Sequence, residues 1–154
     1  MLDGAQIIDP GNAIRFALSG NARMTLVSRK TGARFTYRIR SADQFRTRTG
    51  EIPRAGGVTH FVSVLTGPDN AKDYVYLGYL VGGGRRYVHG VKSRIDATAP
   101  SAHAFGWAWM RLMDEQVPAD LEVWHEGRCG KCGRALTTPE SIASGIGPVC
   151  AGVL

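Results

Sequence analysis

Three cysteines near the carboxyl end constrain this 154-residue chain more than any other feature. Cys129 and Cys132 are separated by two residues, and Cys150 follows after a short segment. Two residues between thiolates let both sulfurs reach one tetrahedral ion at about 2.3 Å, and Gly130 and Gly133 relieve crowding as the turn folds around it. Such clustering fits metal binding better than a disulfide framework. The pattern predicts a structural zinc ion, one per chain.

Zinc needs a fourth ligand beside the three sulfurs, and the chain offers several histidines. His125 lies four residues before Cys129, at the end of a predicted strand over 121–124, and is the favoured ligand. His103, then His60 or His89, are the alternatives, and a water molecule or an acid would also complete the set. Three thiolates and an imidazole make a closed, electron-rich site, which indicates a structural role.

The residues around the cysteines do not match catalytic zinc motifs. A zincin requires His-Glu-x-x-His on a helix, whereas the phrase that begins at His125 reaches Cys129 at its fifth position. The order His-x-Glu followed by Pro-Cys-x-x-Cys, which zinc deaminases use, is also missing from the sequence. Paired carboxylates are scarce among thirteen acids, and no nucleophile elbow is found. We therefore predict that the protein is not an enzyme.

Alternation of apolar and polar residues predicts an antiparallel sheet. Between Arg34 and Arg40 every second residue is apolar, which is typical of a half-buried strand. Similar runs predict strands over 22–28, 60–65 and 74–81, with a further strand over 85–91. Apolar residues at helical spacing predict a helix over 100–116.

The predicted fold class is therefore α+β. It consists of an antiparallel sheet of four to five strands with one packed helix, plus a small C-terminal zinc-bound module. The expected division places an α+β domain with a basic hairpin in residues 1–120 and the zinc-binding module in residues 121–154. Residues 41–59, rich in Arg, Thr and Gly, are expected to form a long loop.

Positive charge is concentrated in one segment of the chain. Residues 22–54 hold nine basic and two acidic side chains, a net charge of +7, whereas the whole chain carries +6. A patch of this kind attracts polyanions, of which nucleic acid is the common one. The alternative is a solvated basic face that only aids solubility.

Arginines and tyrosines are expected to share one face of the sheet. On this prediction aromatic rings stack on bases while guanidinium groups bind phosphates, as in many single-strand binders. The alternative is that the tyrosines pack beneath a second layer. The residues assigned to this nucleic-acid interface are Arg34, Arg38, Arg40, Arg46, Arg48, Tyr74 and Tyr76.

The cysteine-bearing tail resembles a known type of module. Its Cys-x-x-Cys and Gly-x-Gly-Pro-x-Cys phrases, within 129–150, are similar to a zinc-binding module at the ends of uncharacterised bacteriophage and actinobacterial proteins. The stretches 25–32 and 61–68 resemble the remainder of one such phage family. The resemblance implies a phage origin and expression in a bacterial cytoplasm, and it implies no activity.

Together these features predict a small phage zinc-binding protein that binds nucleic acid, mainly single-stranded, with low sequence specificity. The alternative is a phage protein that binds and redirects a host protein, with no catalysis. A cytoplasmic location is expected, because no signal peptide is visible and the longest apolar runs are too short to span a bilayer. A membrane partner is therefore not expected.

Overall fold

The largest element of the structure is a seven-stranded antiparallel sheet. It is seen in a computed structural model, which describes residues 5–42, 59–69, 71–147 and 150–151. In chain order the strands are β1 (Ala5–Ile7), β2 (Asn21–Ser28), β3 (Arg34–Ser41), β4 (His60–Leu65), β5 (Tyr74–Val81), β6 (Arg86–His89) and β7 (Leu121–His125). Across the sheet their order is β1-β7-β2-β3-β4-β5-β6.

Three helices accompany the sheet in the described ranges: α1 (Pro10–Ala17), α2 (Pro100–Met113) and α3 (Pro139–Ser144). Each begins with proline, whose fixed φ suits the first helical turn. Asp9 caps α1 by accepting a hydrogen bond of 2.9 Å from the Asn12 backbone N–H. No helix in the described part of the chain is long and apolar enough to cross a membrane.

The core lies between one face of the sheet and the helices α1 and α2. Phe105 of α2 packs on Tyr37 of β3 and on Tyr87 of β6, with ring centroids 4.9 and 5.0 Å apart. The Tyr37 hydroxyl donates to the Ser101 carbonyl at 2.6 Å, so its one polar group is satisfied inside the core. Trp109 does the same through its indole N–H, which donates to the Gly84 carbonyl at 2.9 Å.

Strand β7 joins the C-terminal part of the chain to the sheet, as the second strand from one edge. It pairs with β1 on one side and β2 on the other, so that His125 lies opposite both Ala5 and Met24. Alternate residues of β7 face the core, with Leu121, Val123 and His125 buried. The C-terminal segment therefore contributes an interior strand to the sheet.

A β-bulge changes which side chains of β5 share a face. The pairing between β4 and β5 shifts at Val62/Ser63, so Tyr76 lies opposite Ser63 while Tyr79 lies opposite Phe61. Cross-strand partners point to the same side of a sheet, and a bulge inserts one extra residue into the alternation. Tyr79 consequently lies on the same face as Tyr76, whereas uninterrupted alternation would place them on opposite faces.

The predicted fold class is wrong. The sequence pattern predicts an α+β fold with four to five strands and one packed helix. The described chain instead has seven strands and three small helices, and most of its regular structure is sheet. Two strands account for the difference. β1 has only three residues, too few to show a period of two. The β7 strand is visible in the sequence, but its pairing with β2 joins segments far apart in the chain. The division of the chain near residue 120 stays a prediction.

Two glycines allow a matched test of this packing. At Gly78 an added Cβ would collide with the Val88 carbonyl and lie 2.7 Å from the Tyr87 hydroxyl, whereas at Gly106 it would lie 3.6 Å from the Tyr87 ring. We expect Gly78→Ala to lower the free energy of unfolding by about 1–3 kcal/mol. Gly106→Ala should raise it by up to about 1 kcal/mol, because alanine favours the helix. Urea denaturation measures both, and equal stability of the two variants would contradict the strand packing described.

Candidate functional site

The structure brings the three cysteines together. Their sulfur atoms all lie within 4.8 Å of one another, close enough to bind one metal ion. Cys129 is only 2 % exposed, Cys150 is half-buried and Cys132 is exposed. The three-cysteine cluster therefore has a buried side and a side that faces solvent.

A tight hairpin, residues 128–135, positions the first two sulfurs. Arg128 bridges to Ala135, the Cys129 N–H donates to the Arg134 carbonyl at 2.8 Å, and the Gly133 N–H donates back to the Cys129 carbonyl at 2.9 Å. Gly133 has a φ of 80°, a left-handed conformation that glycine adopts without strain. The turn between the cysteines is thus fixed by backbone hydrogen bonds within the hairpin.

Helix α3 returns the chain to the cluster. Its N-cap is Thr138, whose hydroxyl accepts from the Ser141 N–H, and Ser141 completes the capping box. The helix ends at Gly145, which has a φ of 74°. Beyond this helix, the Cys150 sulfur lies within 4.8 Å of the two sulfurs of the hairpin.

Hydrogen bonds favour a thiolate at Cys129. Burial by itself raises the pKa of this thiol, but the backbone N–H groups of Cys132, Gly147 and Lys131 outweigh it and lower the pKa to about 7. Cys150 behaves in the opposite way: its hydrogen bond to the Cys132 sulfur, with burial and the two neighbouring thiols, raises its pKa to about 11. Three sulfurs this close share protons, and a bound cation would replace those protons.

The structure does not bring His125 into the three-cysteine cluster. Its Nε2 donates to the Ile142 carbonyl at 2.6 Å, and its Nδ1 accepts from the Gly127 N–H at 2.9 Å. Burial lowers the pKa of His125, in keeping with a neutral ring that donates once and accepts once. His125 thereby links β7 to α3. The other candidate ligands, which also lie outside the cluster, are His60, His89 and His103.

Phe16 of α1 joins the cysteine-bearing segment to the rest of the protein. Its ring lies 5.6 Å from the His125 ring and is 1 % exposed. An added Cβ at Gly145 would collide with this ring, and one at Gly130 would lie 2.8 Å from it. The Gly130 backbone also donates to the Gly145 carbonyl and accepts from the Asn21 N–H, at 2.9 and 2.8 Å. Glycine is therefore required at both positions for the close approach of Phe16.

The second feature is the sheet face turned away from α1 and α2, here called the open face. Cross-strand register places Arg23 opposite Arg38, and Arg38 opposite Ser63. No described helix packs on it, and its residues alternate with the buried core residues of the same strands. The arginines and aromatic residues of the open face are Arg23, Arg34, Arg38, Arg40, Phe61, Tyr74, Tyr76, Tyr79 and Trp124.

Positive charge meets aromatic rings at the centre of the open face. The Arg38 guanidinium lies over the Tyr74 ring at 4.5 Å, and that of Arg23 lies 6.0 Å from the same ring. Burial, then the neighbouring charge of Arg40, lowers the pKa of Arg38, and Arg23 adds to the effect. Arg23 also forms an ion pair with Glu126 at 3.6 Å. Like charges are thus held close together on a half-buried surface.

Several aromatic residues of this face are not among those predicted from the sequence. Phe61 packs edge-on against Tyr76, with ring centroids 6.5 Å apart. The Trp124 indole N–H donates to Glu122 at 2.8 Å, and the same carboxylate forms an ion pair with Arg29 at 2.7 Å, so the indole is fixed in orientation. The alternation of Phe61 with buried Val62 is the signal that would have identified it. Trp124 required the pairing of β7 with β2.

Two of the residues assigned to the interface, Arg46 and Arg48, lie outside the described residues, as does most of the predicted loop 41–59. The other five assigned residues all lie on the open face: Arg34, Arg38, Arg40, Tyr74 and Tyr76.

Comparison with known proteins finds one family model that matches the C-terminal segment. A family of unknown function, DUF6011, matches residues 119–154, which include β7 and the three cysteines. No curated protein and no solved structure matches the chain. The comparisons name no catalytic family.

Phe16→Ala tests the link between α1 and the cysteine-bearing segment. Removing a buried phenylalanine should lower the free energy of unfolding by about 3–5 kcal/mol, because the ring fills the space against two glycines and His125. Met110→Ala, at a side chain that is 63 % exposed, is the control and should change stability by no more than about 0.5 kcal/mol. If Phe16→Ala matched that control in urea denaturation, the segment would not depend on this contact.

Proposed function

We propose that the open face binds single-stranded nucleic acid with low sequence preference. The observation that carries the proposal is the grouping of arginines around aromatic rings on a sheet face that no described helix covers. Phosphates would bind the guanidinium groups, and bases would stack on the exposed parts of the rings.

Electrostatics supports a polyanionic partner. Arg38 and Arg40 lie on one strand and Arg23 lies opposite Arg38, so three guanidinium groups share a small area. The lowered pKa of Arg38, caused by burial and by these neighbours, reflects the cost of holding that charge. Phosphates placed between the arginines would remove this repulsion and release counterions.

The aromatic residues support a single strand over a duplex. The Arg38 guanidinium already lies 4.5 Å from the centre of the Tyr74 ring, so we propose that Tyr74 holds this guanidinium in place. Tyr76, with Phe61 at its edge, and Trp124, fixed by Glu122, are the residues that we assign to base stacking. The bases of a duplex already stack on one another and are not available to such rings.

We also propose that the three-cysteine cluster binds a structural zinc ion, one per chain. Three thiolates at this separation suit zinc, and the backbone N–H donors around Cys129 stabilise the charged sulfur that zinc requires. The short segment after β7 has little core of its own, so a metal ion would add the stability that small modules otherwise lack. From the resemblance of the tail to phage proteins, we further propose a phage origin and a location in the bacterial cytoplasm.

Cysteine substitution tests the metal. We expect the purified protein to carry one zinc ion per chain by elemental analysis. Cys129→Ser and Cys150→Ser should lose the ion and unfold the segment after β7, because metal affinity is folding free energy in such modules. Ser144→Ala, in the same segment but outside the cluster, should keep the ion. A wild-type protein that is free of metal and folded in this segment would refute the zinc site.

Salt dependence tests the arginines. The logarithm of the affinity should fall with the logarithm of salt concentration by about 0.7–0.9 per phosphate contact. The double variant Arg38→Gln, Arg40→Gln should lower that slope by roughly one to two units. Arg15→Gln with Arg111→Gln removes two charges from helices α1 and α2, on the other side of the sheet, and should leave the slope unchanged.

A lack of binding to every oligonucleotide at low salt would refute the nucleic-acid proposal. The arginines of the open face would then be better explained by binding to a host protein with an acidic surface.

Aromatic substitution tests stacking. Tyr76→Ala and Trp124→Ala should each weaken binding of a single-stranded oligonucleotide by about 1–3 kcal/mol. The same variants should change duplex binding little, because duplex bases do not stack on the protein. Trp107→Ala, on α2, should change neither affinity. Equal losses on both kinds of oligonucleotide, measured by fluorescence anisotropy, would argue against stacking.

A further inference from the structure

The three-cysteine cluster has one side that faces solvent. Cys129 lies at the buried end, while Cys132 is exposed and Cys150 is half-buried, so a metal ion held by all three sulfurs would lie at the protein surface. Zinc bound by three protein ligands takes its fourth ligand from water or from another molecule.

The imidazole nearest to the cysteines in the sequence, that of His125, already has partners outside the cluster. His125 uses Nε2 to donate to Ile142 and Nδ1 to accept from Gly127, at 2.6 and 2.9 Å, and its ring packs on Phe16 at 5.6 Å. Coordination through either nitrogen would break one of these hydrogen bonds inside a buried site. His125 is thus committed to holding β7 against α3.

The residues next to the cysteines in the chain also lack a suitable donor. Within the described hairpin they are glycines and the cations Arg128, Lys131 and Arg134, whose protonated nitrogens cannot coordinate a metal. Among described residues the group of ligand atoms comprises the three sulfurs alone. In the sequence, the residues on either side of Cys150 are Pro148, Val149, Ala151, Gly152, Val153 and Leu154, none with a metal-binding side chain.

We infer that the metal in this cluster keeps an exchangeable fourth position, and that this position accepts a neutral nitrogen donor of the imidazole class. The inference rests on the metal site of the proposed function. Three thiolates already exceed the charge of a divalent ion, which favours a neutral donor over an anion. Imidazole suits zinc and cobalt, whereas carboxylates suit harder ions such as magnesium.

Cobalt provides the probe, because Co²⁺ adopts the geometry of zinc and absorbs visible light. The full-length protein is loaded with Co²⁺, and its sulfur-to-cobalt charge-transfer band in the near ultraviolet is recorded with its visible d–d bands. Imidazole is then added, with acetate as the matched oxygen donor. We expect a saturable shift of the d–d bands with imidazole, little shift with acetate at the same concentration, and a charge-transfer band that persists throughout.

The outcomes separate this inference from the proposed metal site. A charge-transfer band with d–d bands that ignore imidazole would show a closed site and overturn the inference alone. Loss of the charge-transfer band on addition of imidazole would also overturn it, because the ion would have been extracted. An equal response to acetate would overturn the ligand class. No charge-transfer band at any stage would refute the metal site itself, and the inference with it.

A histidine variant identifies the competing ligand. His125→Gln retains a side-chain N–H donor and an oxygen acceptor for the contacts to Ile142 and Gly127. If the fourth position is exchangeable, this variant should show the same d–d bands as the wild type before and after imidazole is added. If His125 were the ligand, the variant alone would respond to imidazole, and the inference would be wrong.

Discussion

The pairing of β7 between β1 and β2 is the constraint on which the rest of the structure depends. Both edges of this strand are hydrogen-bonded, and its side chains alternate between the two faces of the sheet. Trp124 lies on the open face, whereas His125 lies on the core face against Phe16 and α3. A single five-residue strand thus connects the open face with the three-cysteine cluster, because Cys129 follows four residues after the end of β7.

Contact between Phe16 and two glycines explains how so short a segment is held. After β7 the described chain has one six-residue helix and the cysteine hairpin, too little to bury a core of its own. It uses the ring of Phe16, which approaches Gly130 and Gly145 more closely than any Cβ would allow. A bound metal would then stabilise the outer part of the segment, with Cys129 at the boundary between the metal and the core.

The open face has a composition that lowers the stability of the folded protein unless a partner binds there. Arginines on adjacent strands repel one another, and half-exposed aromatic rings leave apolar surface in water. The β-bulge at Val62/Ser63 enlarges this surface, since it brings Tyr79 to the same side as Tyr76. Charge and aromatic area together are what a flexible polyanion with exposed bases would bind.

The sequence by itself determined the local elements and the chemistry of the cysteines. The strands His60–Leu65 and Tyr74–Val81 have the predicted bounds, because alternation is a local property of the chain. Only the tertiary structure decided the seven-strand order, the position of Tyr79 after the bulge, and the hydrogen bond from His125 to the Ile142 carbonyl of α3. Each depends on contacts between segments distant in sequence, and residue spacing carries no record of which strand pairs with which.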